Sequence, residues 1–372
     1  MKISKIARIA AIGAVASLAL AGCAANEAPE TPSNEPTDGA QEPTLSGTLS
    51  GVGASAQEVA IQAWTTGFQT AHGAGVTVDY DPQGSGTGRT AFQNGAADFA
   101  GSDRAFRISE IEEGPFELCA EDSDIIQLPT YISPFAVIFN LDGIDSLNLD
   151  AETIAKIFTG EIDNWSDSAI TSQNEGVDLP DLRITPVHRS DNSGTTENFT
   201  DYLAAASNGA WSHDPHGDWP LDGGEAANGT SGVISAVEGS AGGIGYADAS
   251  RITDALGSVA VKVGENYVPF SPEAAAKTID VSPFEEGRTA GDLAVAIDRT
   301  TTADGAYPLV LISYLIVCET YVDSYQNVDL LKGFLAHAAS VEGQAASAER
   351  AGSAPIGDAV REKINAAIES IS

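Results

Sequence analysis

The sequence predicts an α/β fold with two lobes, in which each sheet is mixed but mostly parallel and carries flanking helices. Short β-like segments alternate with helix-like segments along most of the chain, which is typical of helices layered on parallel strands. The 372 residues suffice for two sizeable cores. The composition, 7% aromatic with 38 glycines, fits an α/β protein with many tight turns.

Order is expected to begin near Leu45, and the individual elements follow from local patterns. Val76 to Tyr80 alternates β-branched and polar residues and is therefore a predicted strand. The glycine-rich stretch Gly84 to Gly88 is interpreted as a loop before a helix. Amphipathic or apolar runs predict the remaining elements. The predicted strands are 76–80, 98–103, 125–128, 135–140, 183–188, 243–246 and 307–318. The predicted helices are 59–68, 89–94, 151–158, 231–237, 328–338 and 357–371.

The first 22 residues are predicted to be a cleaved targeting segment. A basic start is followed by a short apolar run that ends at Leu-Ala-Gly-Cys, which has the form of a bacterial lipobox. Cys23 is then the lipidated N-terminus, although a plain secretory signal with an incidental cysteine remains an alternative. Residues 23–44 are polar and proline-rich and are predicted to form a disordered tether.

The two other cysteines, Cys119 and Cys318, are consistent with export. Disulfides persist outside the cytoplasm, so a Cys119–Cys318 bridge is predicted, with two separate buried thiols as the alternative. Removal of residues 1–22 takes away three positive charges and no acid, which lowers the formal charge from −35 to −38. Such a field repels nucleic acid, and a nucleic-acid function is excluded.

The stretch His188 to Thr195 is the most informative about function. It places the guanidinium of Arg189 close to Ser193, Gly194 and Thr195, where a helix is predicted to begin. A helix start offers unpaired N–H groups and partial positive charge, and an arginine fork matches an oxyanion. An ordinary Arg–Asp pair beside a Ser/Thr N-cap is the alternative interpretation.

Two earlier loops have the same character as this stretch. Gly53-Ala54-Ser55 and Gly84-Ser85-Gly86 are interpreted as loops at the carboxyl ends of strands, and they offer hydroxyls and N–H groups. Ligands of open α/β sheets bind beyond the carboxyl ends of the strands, so these loops are expected to converge on one anion. His188 is adjacent to Arg189 in a strand and should face the opposite side, which indicates a structural role.

Catalytic motifs are absent from the sequence. Ser190-Asp191-Asn192 lacks the accompanying Ser-x-x-Lys and Lys-Thr-Gly motifs of serine β-lactamases, and there is neither a nucleophile elbow nor a P-loop. Five histidines without a zinc-binding motif make a metal site unpromising. His213 and His216 lie in a loop that could bind a metal weakly but is interpreted as polar surface.

Several of these segments together resemble the phosphate-binding proteins of high-affinity phosphate ABC transporters, the PstS family. The matching segments follow one another in the family's order, which makes the resemblance more specific than any single motif. They are 51–55, 80–88, 98–103, 157–160 with Trp165, 188–195, 243–246 and 307–309.

The resemblance implies a type II periplasmic-binding-protein fold that holds phosphate between its lobes. The lobe boundaries that we expect are 45–133 with 265–372, and 134–264. The residues implied to bind phosphate are Ser55, Ala56, Ser85, Asp103, Arg189, Ser193, Gly194 and Thr195. Asp191 is expected to support Arg189 without touching the ligand. Ala56, Ser55 and Asn192 stand where an aromatic residue, Thr and Gly are usual in the family, and none of these changes removes a required donor.

Asp103 is the residue that would give selectivity. An ionised carboxylate only accepts hydrogen bonds, so it favours an anion that still carries a proton and repels fully deprotonated sulfate. A simple helix N-cap is the alternative role for Asp103.

The resulting expectation is a non-enzymatic, monomeric receptor without cofactor or metal. It is expected to be anchored to the outer face of the cell membrane by the lipid on Cys23. It would bind inorganic phosphate and deliver it to a membrane ABC permease and its ATPase. A secreted phosphoesterase with a related pocket is the alternative from another class. A binding protein for another oxyanion, such as molybdate, or for an organophosphate is the third.

Overall fold

The structure is a computed structural model that describes residues 45–372. The predicted targeting segment 1–22, the lipidation site Cys23 and the tether 23–44 lie outside the described residues.

Eleven strands and eleven α-helices form the described part of the chain. The strands are β1 Gly47–Gly53, β2 Val76–Asp81, β3 Phe99–Ser102, β4 Ile125–Phe139, β5 Ser146–Leu149, β6 Thr185–Arg189, β7 Glu225–Ala227, β8 Gly243–Asp248, β9 Gly257–Val263, β10 Asn266–Val268 and β11 Val310–Cys318. The helices are α1 Glu58–His72, α2 Ser85–Gln93, α3 Ile108–Glu113, α4 Ala151–Phe158, α5 Ser168–Thr171, α6 Gly194–Ala206, α7 Gly229–Gly239, α8 Pro272–Asp280, α9 Val328–Ala339, α10 Val341–Ala351 and α11 Asp358–Ser370.

The strands form one path in the order β2-β1-β3-β11-β4-β8-β6-β7, and β9 attaches to β4 and carries β5 and β10. The strands that lead into helices pair in parallel: β1 with β2 and β3, and β6 with β7 and β8. The central strands β11 and β4 pair antiparallel with their neighbours. The α/β class is confirmed, and the sheet is more mixed than the alternating pattern indicated because β4 and β11 run between its two halves.

β4 is one continuous strand of 15 residues, whereas the sequence predicted two strands, 125–128 and 135–140. Pro129 and Pro134 made the pattern look interrupted. Residues up to Pro134 pair with β11, and residues from Phe135 pair with β8, so the strand changes partners where a proline cannot donate. β4 therefore runs from one half of the fold into the other.

α2 begins at Ser85, so the predicted loop 84–88 is wrong in its extent. Gly84 has a φ of 100°, which favours glycine, and it turns the chain into the helix. A Cβ on Gly88 would lie 2.6 Å from the backbone of Gly53, and one on Gly86 would meet Asn192. These glycines allow close contact with β1 and with the 188–195 stretch, which outweighs their low helix propensity.

Two large apolar cores support the two lobes. The first lies around Trp64, Phe68, Phe99 and Phe334, between α1, α9, α11 and the β1–β3 side of the sheet. The second contains Phe139, Trp165, Phe199 and Tyr246 and is covered by α4 and α6. A smaller cluster around Val187 and Val233 lies beneath α7. The loops that follow β1, β2, β3 and β6 lie between the two large cores.

Cys119 and Cys318 are joined in the structure, with their Cα atoms 5.3 Å apart and a separation of 199 positions in sequence. Both cysteines belong to the first core.

Candidate functional site

Four helix starts meet at one place between the cores. β1 leads to Ser55 and then to α1, β2 leads to α2, β6 leads to α6, and β7 leads to α7. Each helix follows the carboxyl end of a strand with parallel pairing, which is where ligands of α/β sheets bind. The first N–H groups of each helix lack partners within the helix, so the four starts offer donors to a common anion.

Arg189, the last residue of β6, is the cation of the site. Its Nε donates to Asp191 Oδ1 at 2.8 Å and its Nη2 donates to Asp191 Oδ2 at 2.5 Å, which is a two-point pair. Nη2 also donates to Ser55 Oγ at 3.1 Å. Arg189 is only 3% exposed, so these contacts fix the direction of its guanidinium.

Asp191 is held as a carboxylate. Burial opposes its ionisation, but the hydrogen bonds from Arg189, the charge of Arg189 and the N–H of Gly229 outweigh burial and lower the pKa of Asp191. Gly229 donates to Asp191 Oδ1 at 3.1 Å. Asp191 therefore connects β6 to the start of α7 and orients Arg189.

Asp103 follows β3 and lies against the start of α6. Its Oδ1 accepts from Ser313 Oγ at 2.7 Å and its Oδ2 accepts from Thr195 Oγ1 at 3.3 Å. Its backbone N–H donates to Ser85 Oγ at 3.0 Å. Burial raises the pKa of Asp103, while the hydrogen bond from Ser313 and the charge of Arg189 oppose that rise. Asp103 is thus a buried acceptor beside a buried cation.

Ser193, Gly194 and Thr195 form the start of α6 as predicted for a helix N-terminus. Ser193 is the N-cap and accepts from the N–H of Thr196 at 3.2 Å. A Cβ on Gly194 would lie 2.4 Å from Ser85 Oγ and 2.6 Å from Asp103 Cβ. Only glycine lets these three loops approach so closely.

Ser55, Ala56 and Ser85 complete the set predicted from the sequence, and all three are buried. Ser55 Oγ lies 3.1 Å from Thr230 Oγ1 and accepts from the N–H of Thr230 at 3.2 Å. Ala56 packs in the second apolar core, so only its backbone is available to the site. Direct contacts join Ser55 to Arg189, Ser85 to Asp103 and Gly194, and Thr195 to Asp103, while Ala56 and Ser193 lie beside these residues in the chain.

The sequence reasoning missed Thr230, Ser313 and Arg89. Thr230 follows Asn228-Gly229 at a helix start, a pattern of the same kind as Ser193-Gly194-Thr195. Ser313 is a hydroxyl within the apolar run of β11, which is a recognisable anomaly. Arg89 donates to Ser102 Oγ at 2.8 Å from α2.

An ion-pair network closes one side of the site. Glu197, in the first turn of α6, accepts from Arg104 at 2.7 Å and from Arg107 at 2.6 Å, and Arg89 lies 3.9 Å away. Burial and the charge of Arg104 lower the pKa of Arg89 to about 10, so Arg89 is still a cation at neutral pH. On another side, Arg251 contacts Glu58 at 2.7 Å.

Among the described residues, no histidine forms a hydrogen bond with the side chain of Arg189 or of Asp103. His188 stacks on Trp219 with ring centroids 5.1 Å apart, and a ring nitrogen lies 3.1 Å from Gly223 O, which fits its predicted structural role. His216 Nδ1 accepts from the N–H of Asp218 at 3.0 Å. Among the described residues, no three His, Cys, Asp or Glu side chains are grouped to hold a metal ion.

The fold and the converging helix starts are those of a solute-binding protein. In agreement, residues 38–342 match the sequence model of the PBP superfamily domain. Phosphate-binding protein PstS 2 of Mycobacterium tuberculosis is 34% identical over 324 residues, which cover 86% of each chain. Phosphate-binding protein PstS of Xylella fastidiosa is 31% identical over 310 residues, covering 81% of this chain and 80% of that protein. The chain therefore belongs to the PstS family of the PBP superfamily.

Solved structures agree at the level of the fold. The phosphate-binding protein from Stenotrophomonas maltophilia superimposes with a TM-score of 0.68 at 22% identity, covering 86% of this chain and 93% of that one. Within residues 45–372, no helix is both long and apolar enough to cross a bilayer.

Proposed function

We propose that this protein binds inorganic phosphate at the site formed by Ser55, Ala56, Ser85, Asp103, Arg189, Ser193, Gly194 and Thr195. Membership of the PstS family supports this ligand. The observation that carries the proposal is that a buried acceptor, Asp103, and a buried cation, Arg189, both lie at the converging helix starts.

This combination suits hydrogen phosphate better than other oxyanions. Arg189 and the N–H groups attract any oxyanion of the right size. Asp103 can accept a hydrogen bond from the hydroxyl of hydrogen phosphate. A fully deprotonated anion has no hydrogen to donate and is repelled by the negative charge of Asp103. The acidic protein as a whole does not oppose this, because the site's fixed dipoles and Arg189 act at contact distance while bulk charge is screened within about 8 Å at physiological ionic strength.

Titration calorimetry with phosphate and sulfate tests the proposal. We expect phosphate to bind and sulfate to bind at least about a thousandfold more weakly, since like-charge contact costs several kcal/mol. Absence of phosphate binding, or equal binding of sulfate, would falsify it. Turnover of p-nitrophenyl phosphate with added divalent metals would instead support a phosphoesterase.

We further propose that the protein works outside the cytoplasm as a monomer and delivers phosphate to an ABC permease and its ATPase. Two lobes, divided as residues 45–133 with 265–372 and residues 134–264, would close on the ligand by hinge motion. Two ion pairs beside the site, Arg104 with Glu197 and Arg251 with Glu58, each join a residue of one proposed lobe to a residue of the other. They support closure of the lobes as part of binding.

The membrane anchor in this proposal is the lipid on Cys23, supported by the Leu-Ala-Gly-Cys sequence. A Cys23→Ala variant should no longer be found in the membrane fraction of the cells that produce it. Retention of that variant in the membrane fraction would overturn the anchor but not the ligand.

A further inference from the structure

Ser313 is a polar residue in a strand that is otherwise almost entirely apolar. All nine residues of β11 are buried, and the side chain of Ser313 has no exposed surface. A buried hydroxyl is costly unless it forms a hydrogen bond. Its partner here is the carboxylate of Asp103, at 2.7 Å from Ser313 Oγ to Oδ1.

The position of Ser313 is fixed by the centre of the sheet. β11 lies between β3 and β4, and Tyr314 is opposite Ser102, the residue before Asp103. The register of β11 against β4 shifts by one residue between Ser313 and Tyr314. Such irregularities redirect side chains near functional sites. Ser313 therefore reaches Asp103 from a rigid element and not from a mobile loop.

The two oxygens of Asp103 have different surroundings. Oδ1 is taken by Ser313 inside the sheet. Oδ2 faces the start of α6, where Thr195 Oγ1 lies at 3.3 Å and the Cα of Gly194 approaches without a side chain. Oδ2 is thus the oxygen directed toward the anion site.

We propose that Ser313 is a positioning residue that determines specificity: its hydroxyl holds Oδ1 of Asp103 and keeps the carboxylate an acceptor, with Oδ2 turned to the proton of the bound anion. This inference rests on the proposed phosphate function and assigns the discrimination between protonated and deprotonated anions to a pair of residues.

The physical consequence concerns the protonation of Asp103. Burial raises its pKa, and the hydrogen bond from Ser313 is the foremost of the interactions that oppose burial. Without that bond the pKa rises further. A protonated Asp103 is a donor, so it can bind sulfate, which the ionised form repels. Loss of Ser313 should therefore admit sulfate at a higher pH.

Other ionisable groups surround Asp103, and the design must separate them. Arg189 of β6 and Arg89 of α2 face Asp103 with positive charge, and the pKa of Arg89 is lowered only to about 10. Burial raises the pKa of Tyr80 of β2 well above its usual range. The Arg104–Glu197 pair adjoins the site. Asp248 of β8 is the other group whose titration could change sulfate binding in this pH range, because burial raises its pKa to about 6.

Ser133 supplies a matched control for Asp248. It is another fully buried serine, on the neighbouring strand β4, and its hydroxyl donates to Pro134 O at 3.1 Å. The Ser133 hydroxyl opposes the rise in the pKa of Asp248, and among the described residues no hydrogen bond joins it to Asp103. Ser133→Ala therefore removes a comparable hydroxyl while leaving the Ser313–Asp103 bond in place.

The experiment measures sulfate competition against phosphate between about pH 4.5 and pH 8 for the parent protein, Ser313→Ala, Ser313→Thr and Ser133→Ala. The loss of a hydrogen bond to a charged group should raise the pH midpoint of sulfate binding by about one to two units in Ser313→Ala. At neutral pH the phosphate-to-sulfate affinity ratio should fall about tenfold or more. Ser313→Thr keeps the hydroxyl and should keep the parent midpoint.

A folded Ser313→Ala protein with the parent midpoint overturns the inference, even if its melting temperature falls, because a merely structural serine would weaken both anions alike. The inference is also overturned if the pH midpoint of sulfate binding shifts in Ser133→Ala and not in Ser313→Ala, because Asp248 would then be the group that controls sulfate binding. If the alanine variant does not fold, Ser313→Cys carries a weaker donor and must show a smaller shift in the same direction. Failure of the parent protein to bind phosphate overturns the proposed function itself and is a separate result.

Discussion

The two carboxylates of the site, Asp191 and Asp103, have opposite environments. Asp191 pairs with Arg189 at two points, and although burial opposes its ionisation, that pairing lowers its pKa. Asp103 has only hydroxyls within hydrogen-bond distance of its carboxylate oxygens, and burial raises its pKa. In the function that we propose, one residue type therefore serves two purposes: Asp191 would orient the cation that attracts any oxyanion, and Asp103 would respond to whether that anion carries a proton.

Removal of the cation should have the largest effect. Arg189→Ala removes the cation that would pair with the anion and leaves the carboxylate of Asp191 beside it, and truncating one partner of a buried hydrogen-bonded charge pair costs about 2–5 kcal/mol of binding. Phosphate affinity should fall by roughly two to four orders of magnitude, measured by calorimetry. Arg350→Ala, on the exposed surface of α10, is the matched control and should bind normally. An Arg189→Ala protein that binds phosphate like the control would show that Arg189 is not the anion's partner.

Removal of the acceptor should have the next largest effect, on discrimination more than on affinity. Asp103→Asn keeps the shape but can donate, so we expect the phosphate-to-sulfate ratio to fall about a hundredfold. The parent protein should lose discrimination as the pH falls through the raised pKa of Asp103, whereas the variant should show no such dependence. Competition titrations at several pH values measure this, with the exposed Asp254→Asn as control. Undiminished sulfate rejection in Asp103→Asn would remove the role that we give to Asp103.

The smallest expected effect is on stability without ligand, and it has opposite signs for the two residues. A lowered pKa means that Asp191 stabilises the fold above its unfolded pKa of about 3.9, and that this stability is lost as the pH falls through its folded pKa. A raised pKa means that Asp103 destabilises the fold at neutral pH, and that the cost disappears as the pH falls through its folded pKa.

At pH 7, Asp191→Asn should therefore lower the free energy of unfolding by about 1–2 kcal/mol, and Asp103→Asn should raise it. Urea unfolding at pH 7 and near pH 3 measures both, and each difference from the parent should narrow at the lower pH. If Asp191→Asn and Asp103→Asn change the free energy of unfolding in the same direction at pH 7, the two carboxylates do not have the opposite effects on stability that we predict.

The sequence was sufficient for the residues whose role is local. The 188–195 stretch contains both Arg189 and the helix start that the anion would use, so adjacency in sequence is adjacency in the site. Asp103 could be identified because it ends a recognisable segment within the family resemblance. The positions of Ser313 and Thr230 depend instead on contacts between distant segments: Ser313 contacts Asp103 at a separation of 210 residues, and Thr230 contacts Ser55 at a separation of 175. Single-sequence patterns do not contain that information.

The fold shows the same limit. The prolines of β4 broke the predicted strand in two, because the exchange of strand partners at Pro134 is a tertiary event. The glycines of α2 predicted a loop, because the benefit of their close contact with Gly53 and Asn192 appears only when distant segments meet. Local propensity was outweighed in both places by packing around the site.

The link between Cys119 and Cys318 turns most of the molecule into a covalent ring. The ring holds all of residues 120–317, including Arg189, α6 and the second apolar core except Ala56, and leaves 45–118 and 319–372 as two arms. The 45–118 arm supplies Ser55, Ser85 and Asp103. A single backbone cut within the ring therefore releases no fragment, and the helix starts on the ring remain tethered to those on the arms through sulfur. At the extracytoplasmic location that we propose, one cut by a protease within the ring would not separate the two halves of the site.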